Sequence, residues 1–273
     1  MKRKFSDGRP RSDARRPPAR DRDRPSPTQA STYGVLPVLE ALRANARRID
    51  KIVVAEGARE KRLQEIFDLA RSHGVRVDRV SRDALERLVE PSANHQGVVA
   101  FAASADYVAV DDLLDAARNE SPLLVILDGV EDPRNLGAVL RSAECAGASG
   151  VIIPDRRAAG LTETVAKSSA GAIEYVKVAK TTNLNRLIED LKERNIWVVG
   201  TSGDAATDYT EWDWTTPCAL VLGAEGSGLH RLVAENCDVL VKIPMYGKID
   251  SLNVSVAAGV ILFEARRQRS QKD

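Results

Sequence analysis

Residues 123–143 read LLVILDGVEDPRNLGAVLRSA. Leu123–Leu127 is an uninterrupted apolar run, the pattern of a strand buried on both faces rather than one alternating between core and water. Asp132 and Pro133 follow as a helix N-cap and first-turn residue. Leu136, Val139, Leu140 and Ala143 then recur at helical spacing. A doubly buried strand that turns into an amphipathic helix is the unit of an α/β domain with a mostly parallel sheet.

The alternation continues toward the C-terminus. Val151–Ile153, Tyr175–Val178, Ile196–Thr201, Ala219–Leu222 and Val239–Ile243 read as strands, and Leu161–Ser169, Leu184–Arg194 and Leu229–Glu235 as helices. A long helix, Val254–Arg269, closes the pattern. Ahead of residue 123, Gly34–Ala44 and Lys61–Ser72 have helical spacing, and Ser81 caps a helix through Leu85 and Leu88. Ile52–Ala55, Val75–Val80 and Gly97–Ala102 read as strands. The expected organisation is a tail at 1–31, a small α/β domain at 32–104, a polar linker at 105–121 with one helical stretch around Leu113 and Leu114, and a second domain at 122–273.

The net charge of +1 hides an asymmetry. Residues 1–30 carry ten Lys/Arg against four Asp/Glu, so the tail is +6 and the rest −5. Its Arg, Pro, Asp and Ser cannot bury enough surface to offset chain entropy, so it is expected to be disordered, with charge suited to RNA phosphates. Cys145, Cys218 and Cys237 form no CxxC pair, which excludes a disulfide framework or structural zinc site; each is expected to be a small buried hydrophobe. His73, His95 and His230 are scattered, so no metal is expected. No apolar run approaches the ~18 residues of a bilayer span, and no apolar stretch follows the basic N-terminus; a cytoplasmic location without membrane attachment is expected.

Three loops carry candidate chemistry, each where a strand ends and a helix begins, the usual ligand side of such sheets. The first holds Asn135 near a helix start, with Arg141 further along. The second, Leu222-Gly-Ala-Glu-Gly-Ser-Gly228, lets backbone approach a ligand closely. Its G-x-x-G-x-G order reverses the dinucleotide fingerprint and lacks the Lys-Ser/Thr of a P-loop. Glu225 inside it repels phosphate and suits hydroxyls, amines or positive charge. The third runs from Ile243 to the last helix, with Ser251, Asn253 and Ser255 alternating with Leu252, Val254 and Val256; Ser251 or Asn253 can cap that helix. Taken singly, the loops also read as a capped helix, a tight turn and a second cap.

Together, DPRNLGAVLRSA (132–143), LVLGAEGSGL (220–229) and IPMYGKIDSLNVSVAAGVILFEA (243–265) resemble, in order and spacing, the motifs of the SpoU (TrmH-like) branch of the SPOUT RNA methyltransferases. YGVLPVLEAL (33–42) and HQGVVA (95–100) extend the resemblance to the small ribosomal-protein-like RNA-binding domain that precedes the catalytic one in many members. The two-domain chain is most similar to bacterial 23S ribosomal RNA guanosine 2′-O-methyltransferases.

The resemblance implies a mostly parallel α/β sheet with a C-terminal trefoil knot, a homodimer, and S-adenosyl-L-methionine as cofactor. Gly223, Ile243 and Leu252 would grip its adenine and ribose, with Thr201, Gly203, Leu222 and Gly228 in the same pocket. It implies catalytic roles for Asn135, Arg141, Glu225, Ser251 and Asn253, with Arg141 acting near the partner subunit's cofactor. An arginine stays charged below a pKa of ~12, so Arg141 is read as polarising the ribose hydroxyl and clamping a phosphate. Asn135 would orient Arg141 or the ribose, Glu225 would orient Asn135 or Arg141, and Ser251 and Asn253 would shape the nucleotide pocket and knot. The alternatives are a transfer-RNA guanosine 2′-O-methyltransferase, an rRNA methyltransferase conferring antibiotic resistance, a non-catalytic RNA-binding assembly factor, and a nicotinamide dehydrogenase, against which the reversed glycine order speaks.

Overall fold

The computed structural model describes residues 30–58, 60–90, 93–116 and 121–271. The expected tail lies outside them up to residue 29. In chain order, the first part comprises β1 (Ala30–Tyr33), α1 (Val35–Ala44), β2 (Ile49–Ala55), α2 (Glu60–Ser72), β3 (Arg76–Val80), α3 (Arg82–Glu86) and β4 (Val98–Ala102). These strands form one sheet in the order β1-β4-β2-β3, antiparallel except for the β2–β3 pair. Val38, Leu42, Leu63 and Ile66 of α1 and α2 pack with Ile52 and Val54 on one face. Ordered pairing begins at Ala30, opposite Ala102, slightly ahead of the expected start.

The second part comprises α4 (Val110–Ala116), β5 (Leu123–Asp128), α5 (Pro133–Cys145), β6 (Gly150–Pro154), α6 (Glu163–Ser168), β7 (Val178–Thr181), α7 (Leu184–Glu193), β8 (Trp197–Thr201), β9 (Thr207–Asp208), β10 (Cys218–Gly223), α8 (Arg231–Asn236), β11 (Val239–Lys242) and α9 (Val254–Arg269). Its seven strands lie in the order β7-β6-β5-β10-β8-β11-β9, with parallel pairing throughout. β5 explains why its sequence is apolar at every position. Leu123, Val125 and Leu127 enter the core under α5, α6 and α9, whereas Leu124 and Ile126 enter the one under α4, α7 and α8. Burying each such side chain contributes about 1.5–3 kcal/mol.

Asp132 caps α5 by accepting from the Arg134 backbone N–H at 2.8 Å, and Pro133 stands in its first turn. Gly137 lets α5 meet α6: a Cβ there would lie 1.9 Å from Ser168 Oγ and 2.9 Å from the Ser169 nitrogen.

Two expectations need correction, the strand at Tyr175–Val178 and the burial of all three cysteines. Tyr175–Val178 is not a strand: a 3-10 turn occupies Ala172–Glu174 and the strand runs Val178–Thr181. Gly171 at φ 94° redirects the chain so that Ile173 and Val176 reach the core while Tyr175 turns outward. The described part of segment 105–121, expected as linker and entry to the second domain, packs on the second sheet: Leu113 and Leu114 are buried there, Val108 bridges to Ala179, and Tyr107 Oη accepts from the Leu161 N–H at 2.9 Å. Cys145 is exposed rather than buried, and Cys237 is half-buried. The short strand β9 went unread; two polar residues offer no apolar period.

The two sheets are tied through one polar seam. The Arg47 guanidinium donates to Glu174 at 2.6 Å, to the Ala103 carbonyl at 2.8 Å and to Thr32 Oγ1 at 3.0 Å. The Ser31 N–H donates to Glu163 at 2.7 Å. Tyr175 donates to Glu40 at 2.7 Å, and burial together with that bond pushes the phenol up to about 12.

Candidate active site

The carboxyl ends of β5, β8, β10 and β11 meet at one edge of the second sheet. Because Gly223 stands opposite Asp128 in the β5–β10 register, the loops leaving these strands are neighbours. The glycine loop is closed by two backbone bonds, Ala224 N–H to the Gly228 carbonyl at 3.1 Å and Gly228 N–H to the Ala224 carbonyl at 2.9 Å. A Cβ on Gly223 would sit 2.1 Å from the Gly228 carbonyl carbon and 2.3 Å from the Leu229 nitrogen, so only glycine closes this turn.

Two clefts flank the loop. The larger, about 910 Å³, is lined by all seven residues expected to hold a cofactor: Thr201, Gly203, Leu222, Gly223, Gly228, Ile243 and Leu252. Val241, Pro244, Met245 and Ile261, which sequence reasoning did not single out, add apolar wall, and Ser202, Asp204 and Asp250 add polar groups. The Thr201 hydroxyl is turned away to the Val221 carbonyl at 3.2 Å. Gly203 has open space where a Cβ would stand. Apolar side chains, exposed loop backbone and a few polar groups suit a nucleoside carrying a charged side chain, and Lys242 is the one cationic lining residue, so the wall is not a phosphate cradle.

The smaller cleft, about 510 Å³, is lined by Glu131, Asp132, Asn135, Arg157, Glu225 and His230 among others, and shares Ala224, Glu225, Ser227 and Val254 with the larger. Asn253 bridges the wall between them. Its Nδ2 donates to Asn135 Oδ1 at 3.0 Å and to Glu225 Oε2 at 3.3 Å. Its Oδ1 accepts from the Ser255 N–H at 2.9 Å, capping α9. Of the two possible caps, Asn253 is therefore the one used; Ser251 is exposed in the larger cleft.

Asn135, Glu225 and Asn253 are thus brought together, one from each motif. Arg141 is not. It lies six residues beyond Asn135 on α5, exposed, and lines neither cleft. His230 and Asp128 were missed: the Asp128 carboxylate accepts from the His230 N–H at 2.7 Å and stands 2.8 Å from its Nδ1. The available signal was the strand-end position of Asp128 beside a histidine at a helix entry.

None of the three cysteines lines either cleft. Burial pushes the Cys218 thiol up to about 11 and Cys237 up to about 12, and burial with the neighbouring Glu144 also raises Cys145. Among the described residues, no three His, Cys, Asp or Glu side chains group as a metal ligand set, and no helix is long and apolar enough to cross a membrane.

Comparison with known proteins agrees with this geometry. Residues 122–263 match the SpoU rRNA methylase family, and residues 32–108 match the RNA 2′-O ribose methyltransferase substrate-binding family. A TrmH-family tRNA/rRNA methyltransferase of Bacillus subtilis, described as putative, is 48% identical over 85% of this chain and 93% of its own. A 23S rRNA (guanosine-2′-O-)-methyltransferase of Pseudomonas syringae pv. tomato is 45% identical over 88% of this chain and 96% of its own. Among solved structures, the SpoU methyltransferase AviRb from Streptomyces viridochromogenes in complex with AdoMet superposes with a TM-score of 0.72 at 28% identity, covering 89% of this chain and 91% of that one. An AdoMet-bound rRNA methyltransferase from Sinorhizobium meliloti gives 0.70 at 27%, covering 88% and 87%. On its motifs, its parallel sheet and these matches, the chain belongs to the SpoU rRNA methylase family.

Proposed function

We propose that the protein transfers a methyl group from S-adenosylmethionine to a ribose 2′-hydroxyl, that of a guanosine, in 23S ribosomal RNA. The observation that carries the reading is the Asn135–Asn253–Glu225 cluster in the wall between the two clefts. It places hydrogen-bonding groups where an acceptor in the smaller cleft would border a donor in the larger. The larger cleft fits the cofactor: glycine backbone at 223 and 228 with Leu222, Ile243 and Leu252 would hold the nucleoside, with Thr201 and Gly203 in the same pocket. When bound, the cofactor supplies an electrophilic methyl on a sulfonium. In-line displacement depends on positioning, so the protein's task is to fix the acceptor oxygen. Asn253 holds Asn135 and Glu225 in place, leaving their remaining polar atoms for the ribose. Ser251 lines the larger cleft.

Arg141 acts in this reading across a dimer, on the partner subunit's site. Half-exposed Val256 and Phe263 leave an apolar stripe on α9, beside α5, which carries Arg141. The C-terminal segment is read as the family's knot: it leaves β11, passes the cleft, and returns as α9 against α5. The division into an RNA-binding part at 32–104 and a catalytic part at 122–273 is supported by the two sheets. The tail at 1–31 supplies basic charge for RNA. A cytoplasmic location fits an rRNA substrate. A transfer-RNA acceptor is the second reading, favoured by the double tRNA/rRNA name that the Bacillus subtilis relative shares with others.

The test supplies methyl-labelled S-adenosylmethionine with 23S ribosomal RNA or transfer RNA in separate reactions. Label in ribosomal RNA alone, lost in Arg141→Ala, is expected. Label in transfer RNA alone would replace the acceptor, and equal label in the Arg141→Ala variant would remove that residue from catalysis.

A further inference from the structure

The smaller cleft holds two opposite charges that do not meet. Glu131 follows β5 and Arg157 follows β6, and both line the cleft. The Ala159 N–H donates to the Val130 carbonyl at 3.0 Å, which holds these two loops side by side. Neither the Glu131 carboxylate nor the Arg157 guanidinium has a hydrogen-bond or ion-pair partner among the described residues. The other carboxylates of the cleft are engaged: Asp132 caps α5, and Glu225 accepts from Asn253. Arg157 also holds a left-handed φ of 55°, uncommon outside glycine. Strained backbone of this kind gathers at ligand sites.

A flat ring completes the wall. His230 Nδ1 stands 2.8 Å from the Asp128 carboxylate, itself 3% exposed, and that bond fixes the imidazole where it lines the cleft. Gly129, at φ 80°, keeps the ring's edge uncovered: a Cβ there would lie 3.5 Å from His230 Cε1.

These groups select an occupant. A phosphate would meet three carboxylates, Glu131, Asp132 and Glu225, against one guanidinium, and like charges repel it. A nucleobase is neutral, and its edges carry donors and acceptors. Guanine presents N1–H and N2–H₂ as donors on one edge and O6 and N7 as acceptors on the next, and arginine donates to that O6/N7 pair with two parallel bonds. A carboxylate has two oxygens to accept from the donor edge. Adenine would turn the N1 lone pair to the carboxylate and its amino group to the guanidinium. Pyrimidines have no N7 to reach.

We propose that the smaller cleft receives the guanine base of the acceptor nucleoside. Glu131 accepts from N1–H and N2–H₂, Arg157 donates to O6 and N7, and the His230 ring offers a face for stacking. The inference deepens the methyltransferase reading above and rests on it. With the base in this cleft, the attached ribose borders the Asn135–Asn253–Glu225 wall. The contacts that choose the base therefore also bring its hydroxyl toward the larger cleft. Glu131 and Arg157 set specificity and take no part in the bond exchange.

The test gives the full-length protein labelled S-adenosylmethionine and a 23S ribosomal RNA fragment spanning the methylated nucleotide, located by its alkali-resistant dinucleotide. That guanosine is replaced in turn by inosine, which lacks the 2-amino group, by 7-deazaguanosine, which lacks N7, and by adenosine. Single-turnover rates should fall about 5–150-fold for each of the first two and about 10³-fold or more for adenosine. Glu131→Ala should slow guanosine and abolish its advantage over inosine alone. Arg157→Ala should abolish its advantage over 7-deazaguanosine alone. Cofactor Kd should stay within about threefold in both. A merely structural role would slow every RNA alike and leave these ratios intact. Intact ratios in both variants, or wild-type rates within about threefold for guanosine, inosine and 7-deazaguanosine, overturn the proposal and leave ribose methylation standing. Uniform loss in Arg157→Ala with a shallower salt dependence of RNA binding would make that residue a phosphate clamp and likewise overturn it. A wild type that methylates no RNA overturns the methyltransferase reading and the proposal with it.

Discussion

Asn253 does two things with one side chain, and they can be separated. Its Oδ1 caps α9, and its Nδ2 joins Asn135 to Glu225. Losing an N-cap costs about 0.5–2 kcal/mol. Asn253→Ala should therefore lower both melting temperature and methyl transfer, whereas Asn253→Ser should restore the cap but not the bridge. Thermal melting and transfer assays on the pair check this; equal recovery of activity in the serine variant would make the residue structural only. At this scale the sequence was most legible where a residue type has one physical use at a strand-to-helix junction. Asp132, Pro133, Gly223 and Asn253 fall where turn and cap chemistry put them. Asp128 with His230 was not legible, because the contact spans 102 residues and depends on the β5–β10 register.

Elements were readable when their apolar period was long. β5, α5 and α9 lie within a residue or two of expectation, and Val254–Arg269 matches at both ends. The misreading at Tyr175–Val178 has a physical cause: the short, mostly apolar stretch AIEYV between Gly171 and Lys177 fits a strand or a tight turn equally, and Gly171 decides for the turn. The α5–α6 approach depends on a missing side chain. Gly137→Ala would force a Cβ within 1.9 Å of Ser168 Oγ and 2.9 Å of backbone nitrogen. Overpacking of this kind costs about 1–3 kcal/mol, and since α5 carries both Asn135 and Arg141, activity should fall with stability. Denaturant melts measure the first effect; an unchanged midpoint would mean that α6 yields freely.

On the scale of the whole molecule, the seam between the sheets ties the two parts together, and the exposed stripe of α9 is where the proposed dimer would form. Arg47 and Glu174 are 9% and 2% exposed at the side chain. Removing one partner of a buried pair costs about 3–5 kcal/mol, chiefly because the other charge is left unpaired. Arg47→Ala should thus unfold at markedly lower denaturant or show two transitions as the sheets uncouple; a melt like that of the wild type would show the seam to be weak. Phe263→Glu places a charge in the α9 stripe and should yield a monomer by light scattering with little methyl transfer, because Arg141 would no longer reach a partner's site. A wild type that is itself a fully active monomer would end that reading. Neither feature could be read from periodicity: a polar seam between domains has no period, and an exposed valine or phenylalanine on a helix looks like core until the sheet is in place.

The most direct test of the central claim is the chemical position of the transferred methyl group. Labelled 23S ribosomal RNA from the transfer reaction would be hydrolysed in alkali, which cleaves next to every free 2′-hydroxyl. The account predicts that the label survives in a single alkali-resistant dinucleotide carrying 2′-O-methylguanosine. Label released with ordinary mononucleotides would place the methyl on a base and contradict the account.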